Sequence, residues 1–187
     1  TVRRDLIEIA RAVSNISGIR TVALTTNGYN LKENVKAFRD AGINALNVSV
    51  DSLNSERFYA ITGQDKLTHV LEGIEAAKAT GFNNIKINSV LLKEVTDHTL
   101  PEFLTWIKRE ALSVRFIELM PIGELGQDDS LRVGSDELLA TRPYLKPVPP
   151  LQTGQVSTDY AIHGHLGRVG FISPVSHKFC ATCNRIR

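Results

Sequence analysis

Apolar residues recur every three or four positions in several stretches of the chain, and short runs rich in β-branched residues lie between them. This spacing is typical of amphipathic helices, which we predict at 5–16, 31–38, 67–74 and 100–107. The intervening runs predict strands at 21–26, 45–50, 85–92 and 114–120. Helices and strands are therefore expected to alternate along most of the chain.

Alternation of this kind predicts parallel strands joined by right-handed crossovers, in either an open doubly wound sheet or a barrel. Both architectures place function at the C-terminal ends of the strands. The four predicted strands end in residues able to contact a ligand: Thr25, Thr26 and Asn27; Ser49, Asp51 and Ser52; Asn88 and Ser89; Glu118 and Met120. Polar residues at one strand end are often ordinary turn residues, but their recurrence on four strands predicts a functional site.

The pattern changes after residue 122, where we predict a domain boundary. The stretch 123–130 indicates a loop, 135–144 a helix, and 155–162 with 167–172 a hairpin. The first part opens on a helix without a preceding strand, and four parallel strands leave an exposed sheet edge. We therefore expect the chain to be a fragment of a longer protein.

Composition and charge narrow the classes of partner. Hydrophobic residues make up 42% of the 187 positions, enough for a packed core, and 22 basic residues against 20 acidic ones give a net charge of +2. This balance argues against nucleic acid or a membrane as the principal partner. No apolar run reaches the roughly 18 residues of a spanning helix, and we predict a cytoplasmic protein.

The two cysteines, Cys180 and Cys183, are separated by two residues near the C-terminal end. Thiolates at this spacing bind one metal ion or two corners of an iron–sulfur cluster. Zinc is an equal alternative by spacing alone, with His177 as a third ligand and His163 or His165 as a fourth.

Two arginines follow the cysteines. Arg185 and Arg187 alternate, so in an extended segment both guanidinium groups would point to one side, suited to a phosphate or a carboxylate. A solvated basic tail is the alternative.

Lys86 and Arg115 lie inside otherwise apolar predicted strands. A buried unpaired charge is costly, so each is expected to meet an anion or the mouth of a cavity. An ion pair with Glu118 or Asp51 would satisfy either residue without a ligand.

Six segments of the chain carry a resemblance to one family in order and spacing. They are LTTNG (24–28), NVSVDSL (47–53), ITG (61–63), KINSV (86–90), RFIELMP (115–121) and FCATCNR (179–185). Through them the whole chain resembles the GTP 3',8-cyclases, radical S-adenosylmethionine (SAM) lyases that open molybdenum cofactor biosynthesis.

The resemblance implies an α/β fold, namely a fragment of a radical SAM partial (β/α)6 TIM-type barrel with a C-terminal auxiliary-cluster extension. It implies SAM and two [4Fe-4S] clusters as cofactors. The SAM-derived 5'-deoxyadenosyl radical would abstract the 3' hydrogen of GTP, and C8 cyclisation would give (8S)-3',8-cyclo-7,8-dihydroguanosine 5'-triphosphate. The implied partners are GTP, SAM and the downstream cyclic pyranopterin monophosphate synthase, without nucleic acid or membrane, and with a homodimer left open.

The resemblance also assigns roles to individual residues. By similarity, SAM is contacted by Ser49, Asn88 and Met120. The GTP contacts are Thr25, Lys86, Arg115, Arg185 and Arg187, of which the three arginines are also taken as catalytic. Cys180 and Cys183 match two of the three cysteine ligands of the second cluster.

Some family features do not occur in this sequence. The N-terminal Cys-x3-Cys-x2-Cys motif is absent, and the second cluster lacks its third cysteine. We therefore interpret 1–122 as a partial barrel without its N-terminal cluster region and 123–187 as the start of the extension that binds the second cluster and GTP. As an isolated fragment the chain is expected to be inactive.

Two other hypotheses compete with this one. A zinc-stabilised binding module using His177, Cys180 and Cys183 would explain only the C-terminal segment. A different radical SAM enzyme with an auxiliary cluster is disfavoured by the joint presence of the RFIELM and CNRIR segments.

Overall fold

The structure is a computed structural model that describes residues 3–151 and 154–179, without the side chains of Glu94, Val95 and Leu125. The chain divides into two compact units, Thr1–Ile87 and Asn88–Arg187. Each is described by itself. The division falls inside a strand, and the boundary predicted near residue 123 stays a prediction.

The first unit alternates helices and strands, as the sequence predicts. Its elements are α1 (Leu6–Ser14), β1 (Ala23–Thr26), α2 (Leu31–Asp40), β2 (Ala45–Ser49), α3 (Ser55–Thr62), α4 (Leu67–Ala79) and the first residues of β3 (Ile85–Leu91). β1 and β2 are parallel, with Ala23 opposite Ala45 and Thr26 opposite Val48. The predicted strand–helix–strand unit is thereby confirmed.

The core of this unit forms where β2 is covered by helices. Leu46 and Val48 of β2 and Val70 and Ile74 of α4 are fully buried. Helix α4 approaches α2 closely at Gly73. A Cβ atom at this position would lie only 2.8 Å from Leu31 Cβ, so the close approach requires glycine.

Helix α3 was not predicted. Its first turn is capped by Asn54, whose side chain accepts a hydrogen bond of 3.0 Å from Arg57 N, and it ends at Gly63 in the left-handed conformation with φ of 67°. Phe58 is its one buried residue. A helix that buries one side chain leaves no apolar stripe in the sequence.

The second unit combines the rest of β3 with a small sheet of mixed direction. Its further elements are α5 (Lys93–Ile107), β4 (Ser113–Glu118), α6 (Gly123–Gly126), a 3-10 helix (Asp129–Leu131), α7 (Ser135–Ala140), β5 (Lys146–Pro147), β6 (Thr158–Ala161) and β7 (Arg168–Ile172). The predicted hairpin is confirmed by the antiparallel pairing of β6 with β7. β7 also pairs in parallel with β4, and β5 pairs with β6.

A row of aromatic rings connects the elements of the second unit. Phe103 of α5 meets the edge of Phe116 of β4 at 5.7 Å, and Phe116 stacks on Phe171 of β7 at 5.9 Å. Tyr160 of β6 meets Phe171 at 5.7 Å. Because each ring comes from a different element, the row fixes how the hairpin packs on β4.

Several predicted bounds in this unit are wrong. The stretch 123–130 contains α6 and the start of the 3-10 helix, which is capped by the Asp128 side chain through a 2.9 Å bond from Ser130 N. Helix α7 ends at Ala140, since Pro143 prevents its continuation. β4 ends at Glu118, so Met120 lies beyond it.

The predicted strand ends need one further correction. Asn88 and Ser89 lie within β3 rather than at its end.

Among the described residues, no helix is long and apolar enough to cross a membrane.

Candidate functional site

The C-terminal end of β1 is held by side chain contacts of the LTTNG segment. Asn47, which lies opposite Thr25 in the β1–β2 pair, donates from Nδ2 to Thr25 Oγ1 at 3.3 Å. Thr26 Oγ1 accepts a 3.0 Å bond from Gly28 N. The predicted ligand contact Thr25 therefore sits on a fixed strand end.

Gly28 allows the chain to turn directly after this strand. Its φ is 77°, and a Cβ atom would lie 2.9 Å from Val70 Cγ1 and 3.0 Å from Val48 Cγ1. Both the positive φ and the close packing exclude a larger residue. The turn is thus tied to the core beneath it.

A cavity of about 390 Å³ lies in the second unit and one of about 510 Å³ in the first unit. The cavity in the first unit opens at the end of β1 and is lined by Arg3, Arg4, Thr25, Asn27 and Asn30, among others. Cationic and amide groups around a strand end suit an anionic or strongly polar ligand. The polar and cationic lining of this cavity supports the interpretation of Thr25 as a ligand contact.

Two other predicted contacts belong to the first unit. Ser49 is the last residue of β2, and Lys86 is the second residue of β3. Both are half-buried. Their positions are compatible with ligand contact, and the roles predicted for them stay predictions.

Asn88 is half-buried in β3, and its Oδ1 atom is buried without a hydrogen-bond partner among the described residues. The hydroxyl of its neighbour Ser89 is in the same situation. Buried polar atoms are almost always hydrogen-bonded in folded proteins. The amide oxygen of Asn88 is therefore able to accept a hydrogen bond from a ligand, and the SAM contact predicted for this residue stays a prediction.

Arg115 lies in the middle of β4 and is only 9% exposed. Gly170 of β7 is its register partner, and Asp159 of β6 is the partner of Gly170 on the other side. A Cβ atom at Gly170 would lie 2.7 Å from Asp159 Oδ1 and 3.3 Å from Arg115 Cγ. Arg115 and Asp159 therefore occupy the same face, with the missing side chain of Gly170 between them.

Asp159 is 2% exposed, and its Oδ1 accepts a 2.8 Å bond from Ser157 Oγ. Sequence reasoning did not single out this carboxylate. The signal was available, because Ser157 and Asp159 occupy alternate positions of a predicted strand and so share one face. An ion pair of Arg115 with Glu118 is disfavoured, because residues three apart on a strand point to opposite faces.

Glu118, the last residue of β4, is 4% exposed and accepts hydrogen bonds from two directions. From α7, Ser135 donates to Oε1 through its backbone N at 3.1 Å and its hydroxyl at 3.3 Å. From the segment after β7, Val175 N and Ser176 N donate to Oε2 at 3.2 and 3.0 Å, and the Ser176 hydroxyl donates to Oε1. Glu118 thus joins three parts of the second unit.

These donors also determine the charge state of Glu118. Burial raises the pKa of its carboxyl, but the bonds from Ser176, Ser135 and Val175 together outweigh burial and hold the pKa below its ordinary value. Glu118 is therefore ionised at neutral pH. In the unfolded chain a glutamate carboxyl has a pKa of about 4.3. Above that pH ionised Glu118 stabilises the folded protein, and this stabilisation is lost as the pH falls through the lower pKa that Glu118 has in the folded protein.

The chain leading to the cysteines is described as far as Phe179. His177 Nε2 contacts the Asp136 carboxylate, and both side chains are largely exposed. Cys180, Cys183, Arg185 and Arg187 lie outside the described residues, so their predicted roles stay predictions. Within the described part of the chain, no group of three or more His, Cys, Asp or Glu side chains could hold a metal ion.

The zinc alternative depends on a histidine from the β6–β7 turn. His163 and His165 lie in that turn, before β7, whereas His177 follows it. The five residues of β7 span about 16 Å, and zinc ligands must all lie about 2 Å from the metal. This separation disfavours a site shared by His177 and either turn histidine.

Comparisons with known proteins agree with the resemblance seen in the sequence. Residues 1–107 match the family model of the Radical SAM superfamily, and residues 112–187 match that of Molybdenum Cofactor Synthesis C. The chain is 45% identical to the GTP 3',8-cyclase of Klebsiella pneumoniae (strain 342), in an alignment covering 100% of the chain and 58% of that protein.

Two further relatives give the same result. GTP 3',8-cyclases of Aeromonas hydrophila and Tolumonas auensis are 44% and 42% identical, with 100% of the chain and 56% of each relative covered. The chain therefore spans less than three fifths of the length of these curated relatives.

Proposed function

Because this chain belongs to the radical SAM superfamily, we propose that the protein of which it forms part is a GTP 3',8-cyclase in molybdenum cofactor biosynthesis. One observation carries the proposal: identity of 42–45% to enzymes of that name extends over the whole chain. The match of residues 112–187 to Molybdenum Cofactor Synthesis C agrees with it.

The α/β architecture agrees with this assignment. The first unit repeats strand and helix with parallel pairing, as expected for part of a TIM-type barrel. In such folds the ligand contacts come from the C-terminal ends of strands. Thr25 and Ser49 lie at two such ends.

For SAM, the described residues offer contacts that fit its chemistry. SAM carries an ammonium group, a carboxylate and ribose hydroxyls, and Asn88 Oδ1 is a buried acceptor that lacks a partner among the described residues. We assign Asn88, Ser49 and Met120 to SAM. A [4Fe-4S] cluster would supply the electron that cleaves SAM, and this chain's residues would hold SAM in place.

For GTP, the proposal draws on cationic side chains. Lys86, Arg115, Arg185 and Arg187, together with Thr25, are assigned to GTP, since a triphosphate needs several cations and guanidinium groups bind phosphate oxygens in pairs. Arg115 is the one buried arginine among the described residues. The three arginines are proposed to stabilise the substrate during reaction.

The cluster count is part of the same proposal. Two [4Fe-4S] clusters are proposed for the whole protein, with Cys180 and Cys183 as ligands of the second. A cytoplasmic location, the downstream cyclic pyranopterin monophosphate synthase as a pathway partner and a homodimer stay predictions.

The test uses the full-length protein, purified and reconstituted without oxygen. Iron, sulfide and zinc are quantified on one sample together with its visible absorption spectrum. The protein is then given dithionite, SAM and GTP deuterated at the 3' position. A GTP 3',8-cyclase transfers that deuterium into 5'-deoxyadenosine. The nucleotide radical closes on C8 and then takes up one electron from dithionite and one proton from water, so the cyclised product has the mass of unlabelled GTP.

Matched substrates make the outcome specific. GTP deuterated at the 2' position should give unlabelled 5'-deoxyadenosine. Transfer from 2' rather than 3', or SAM cleavage without consumption of GTP, would contradict the proposed reaction. A colourless protein with stoichiometric zinc and no iron would instead support the zinc-stabilised binding module.

A further inference from the structure

Asn47 is the middle residue of β2 and is half-buried. Its neighbours Leu46 and Val48 are fully buried, and successive residues of a strand point to opposite faces. Asn47 therefore lies on the face of β2 opposite to these two side chains, and their packing holds its backbone in place. No role was predicted for this asparagine.

The register of the sheet places Asn47 opposite Thr25. The two residues are partners in the parallel β1–β2 pair, and Asn47 Nδ2 lies 3.3 Å from Thr25 Oγ1. An amide nitrogen can donate a hydrogen bond but cannot accept one. The Thr25 hydroxyl is therefore the acceptor in this contact, which uses one of its two lone pairs.

The proton of the same hydroxyl is not used by this contact. Thr25 is exposed and lines the cavity of the first unit, and among the described residues its hydroxyl donates to no acceptor. Because Asn47 brings a donor up to the oxygen, the proton must point away from Asn47. A ligand in the cavity can then accept it.

Thr26, the next residue, uses its hydroxyl differently. Its Oγ1 accepts the 3.0 Å bond from Gly28 N and so stabilises the turn after β1. Thr25 and Thr26 also point to opposite faces of the strand. Of the two hydroxyls at this strand end, the one on Thr25 is thus not needed by the turn.

We propose that Asn47 is a positioning residue that keeps the Thr25 hydroxyl as a hydrogen-bond donor, so that Thr25 binds an acceptor atom of GTP. The inference rests on the proposed function, which assigns Thr25 to GTP. It specifies the direction of that contact, because a phosphate, ribose or base oxygen, or a ring nitrogen with a lone pair, must accept the proton. The N–H groups of guanine cannot take this place.

The physical basis is preorganisation of the donor. A hydroxyl without a fixed partner rotates among several directions, and a ligand that must fix its direction loses part of the binding free energy. A single net hydrogen bond corresponds to about 2- to 10-fold in affinity. We expect Asn47 to contribute within this range, and only while the Thr25 hydroxyl is present.

Three variants of the full-length protein form the decisive test: Asn47→Ala, Thr25→Val and the double variant. Valine has the shape of threonine without its hydroxyl. If Asn47 acts through Thr25, its replacement weakens GTP binding in the unmodified background and has no further effect once Thr25 is valine. Two effects that simply add would show that Asn47 acts by another route.

Two further variants test the direction of the contact. In Asn47→Asp the side chain keeps its shape, but an ionised carboxylate can only accept hydrogen bonds and would take up the Thr25 proton. GTP should therefore bind at least as weakly as in Asn47→Ala. Thr25→Ser keeps the hydroxyl and should bind GTP more tightly than Thr25→Val. The matched controls are Asn83→Ala and Thr21→Val, at exposed positions of the same unit, and neither should change the affinity.

The readouts are the dissociation constant of GTP and the unfolding temperature. Equilibrium dialysis with radiolabelled GTP is carried out without oxygen on the reconstituted protein, so that binding is measured apart from the reaction. For Asn47→Ala and for Thr25→Val we expect the dissociation constant to rise about 2- to 10-fold. Unfolding temperatures are measured on the same samples, because a variant that merely loosens the β1–β2 pair would lower the affinity in the Thr25→Val background as well.

The outcomes separate this inference from the proposed function. Equal GTP affinity in the unmodified protein and in either single variant would overturn the inference. Tighter binding by Asn47→Ala would also overturn it, since Thr25 would then normally donate to Asn47, and so would an effect of Asn47→Ala that persists in full beside Thr25→Val. In each of these cases the unmodified protein still binds and cyclises GTP, and the cyclase assignment stands. An unmodified protein that binds no GTP would instead reject the proposed function, and the inference with it.

Discussion

His177 Nε2 lies 2.9 Å from Oδ1 and 2.8 Å from Oδ2 of Asp136, the second residue of α7. The hydrogen bond and the negative charge of Asp136 raise the pKa of His177 above its ordinary value, and burial opposes them only weakly. Near neutral pH the imidazole is therefore protonated to a greater extent than a free histidine. The pair connects the segment that follows β7 to α7 in a pH-dependent manner.

Replacing Asp136 with asparagine should lower the pKa of His177 back toward about 6.5. In the unmodified protein, the pair stabilises the fold fully at pH values below the pKa of His177 in the unfolded chain. This stabilisation is lost as the pH rises through the higher pKa that His177 has in the folded protein. An NMR titration of the imidazole protons measures the shift. The Glu137→Gln variant removes a neighbouring charge as control, and equal His177 pKa values in the Asp136→Asn and unmodified proteins would contradict the prediction.

Replacing Gly73 with alanine should destabilise the protein, although alanine favours helices. The new Cβ atom would meet Leu31 Cβ at 2.8 Å and Lys32 N at 3.3 Å, and neither can move without shifting α2. Overpacking typically costs about 1–3 kcal/mol, more than the roughly 0.5–1 kcal/mol gained over glycine in a helix.

The change in the free energy of unfolding is measured by denaturant titration of the full-length protein. Glu75→Ala, at an exposed position of the same helix, is the control and should change it by less than about 0.5 kcal/mol. A Gly73→Ala variant as stable as the unmodified protein would show that α2 and α4 can separate without cost.

Replacing Arg115 with alanine should abolish cyclisation of GTP, and replacing Arg185 should do the same. Each substitution removes a guanidinium group proposed to bind the substrate, and bonds to charged groups contribute about 1.5–3 kcal/mol each. GTP turnover is measured with the deuterated substrate, and 5'-deoxyadenosine formed without GTP serves as the internal control. Undiminished turnover would remove the residue concerned from the GTP contacts.

Replacing Gly170 with alanine should weaken GTP binding without removing any charge. The added methyl group would lie 2.7 Å from Asp159 Oδ1 and 3.3 Å from Arg115 Cγ. The Asp159 carboxylate must therefore move, and Arg115 on the same face must yield by a few tenths of an ångström. Loss of one charge-assisted contact corresponds to roughly a 10- to 100-fold higher KM for GTP. Thr158→Ala, at an exposed position of β6, is the control, and an unchanged KM in Gly170→Ala would contradict the prediction.

Much of the first unit could be predicted from the sequence because its periodicity reflects burial directly. Leu67, Val70 and Ile74 recur with helical spacing and are buried in α4. Helix α3 escaped prediction because it is short and buries a single side chain. Its structure depends instead on local capping by Asn54 and Gly63.

The site was predicted unevenly for a similar reason. Family resemblance and unusual placement in the sequence made Thr25, Asn88 and Arg115 predicted ligand contacts, and these roles stay predictions. Asp159, Ser135 and Asp136 were missed, because each becomes informative only next to a residue distant in the chain. Glu118 was recognised as a strand end, but its hydrogen bonds to Val175 and Ser176 after β7 could not be predicted.

The sequence by itself determined the alternation of helices and strands, the family and which residues are candidates for ligand contact. These properties are encoded locally, in side chain type and spacing. The tertiary structure alone decided that β7 joins β4 in parallel, that Gly170 lies between Arg115 and Asp159, and that Glu118 binds a turn 57 residues away. Such relationships arise when packing brings distant segments together, and no local pattern in the chain specifies which donor a buried carboxylate will meet.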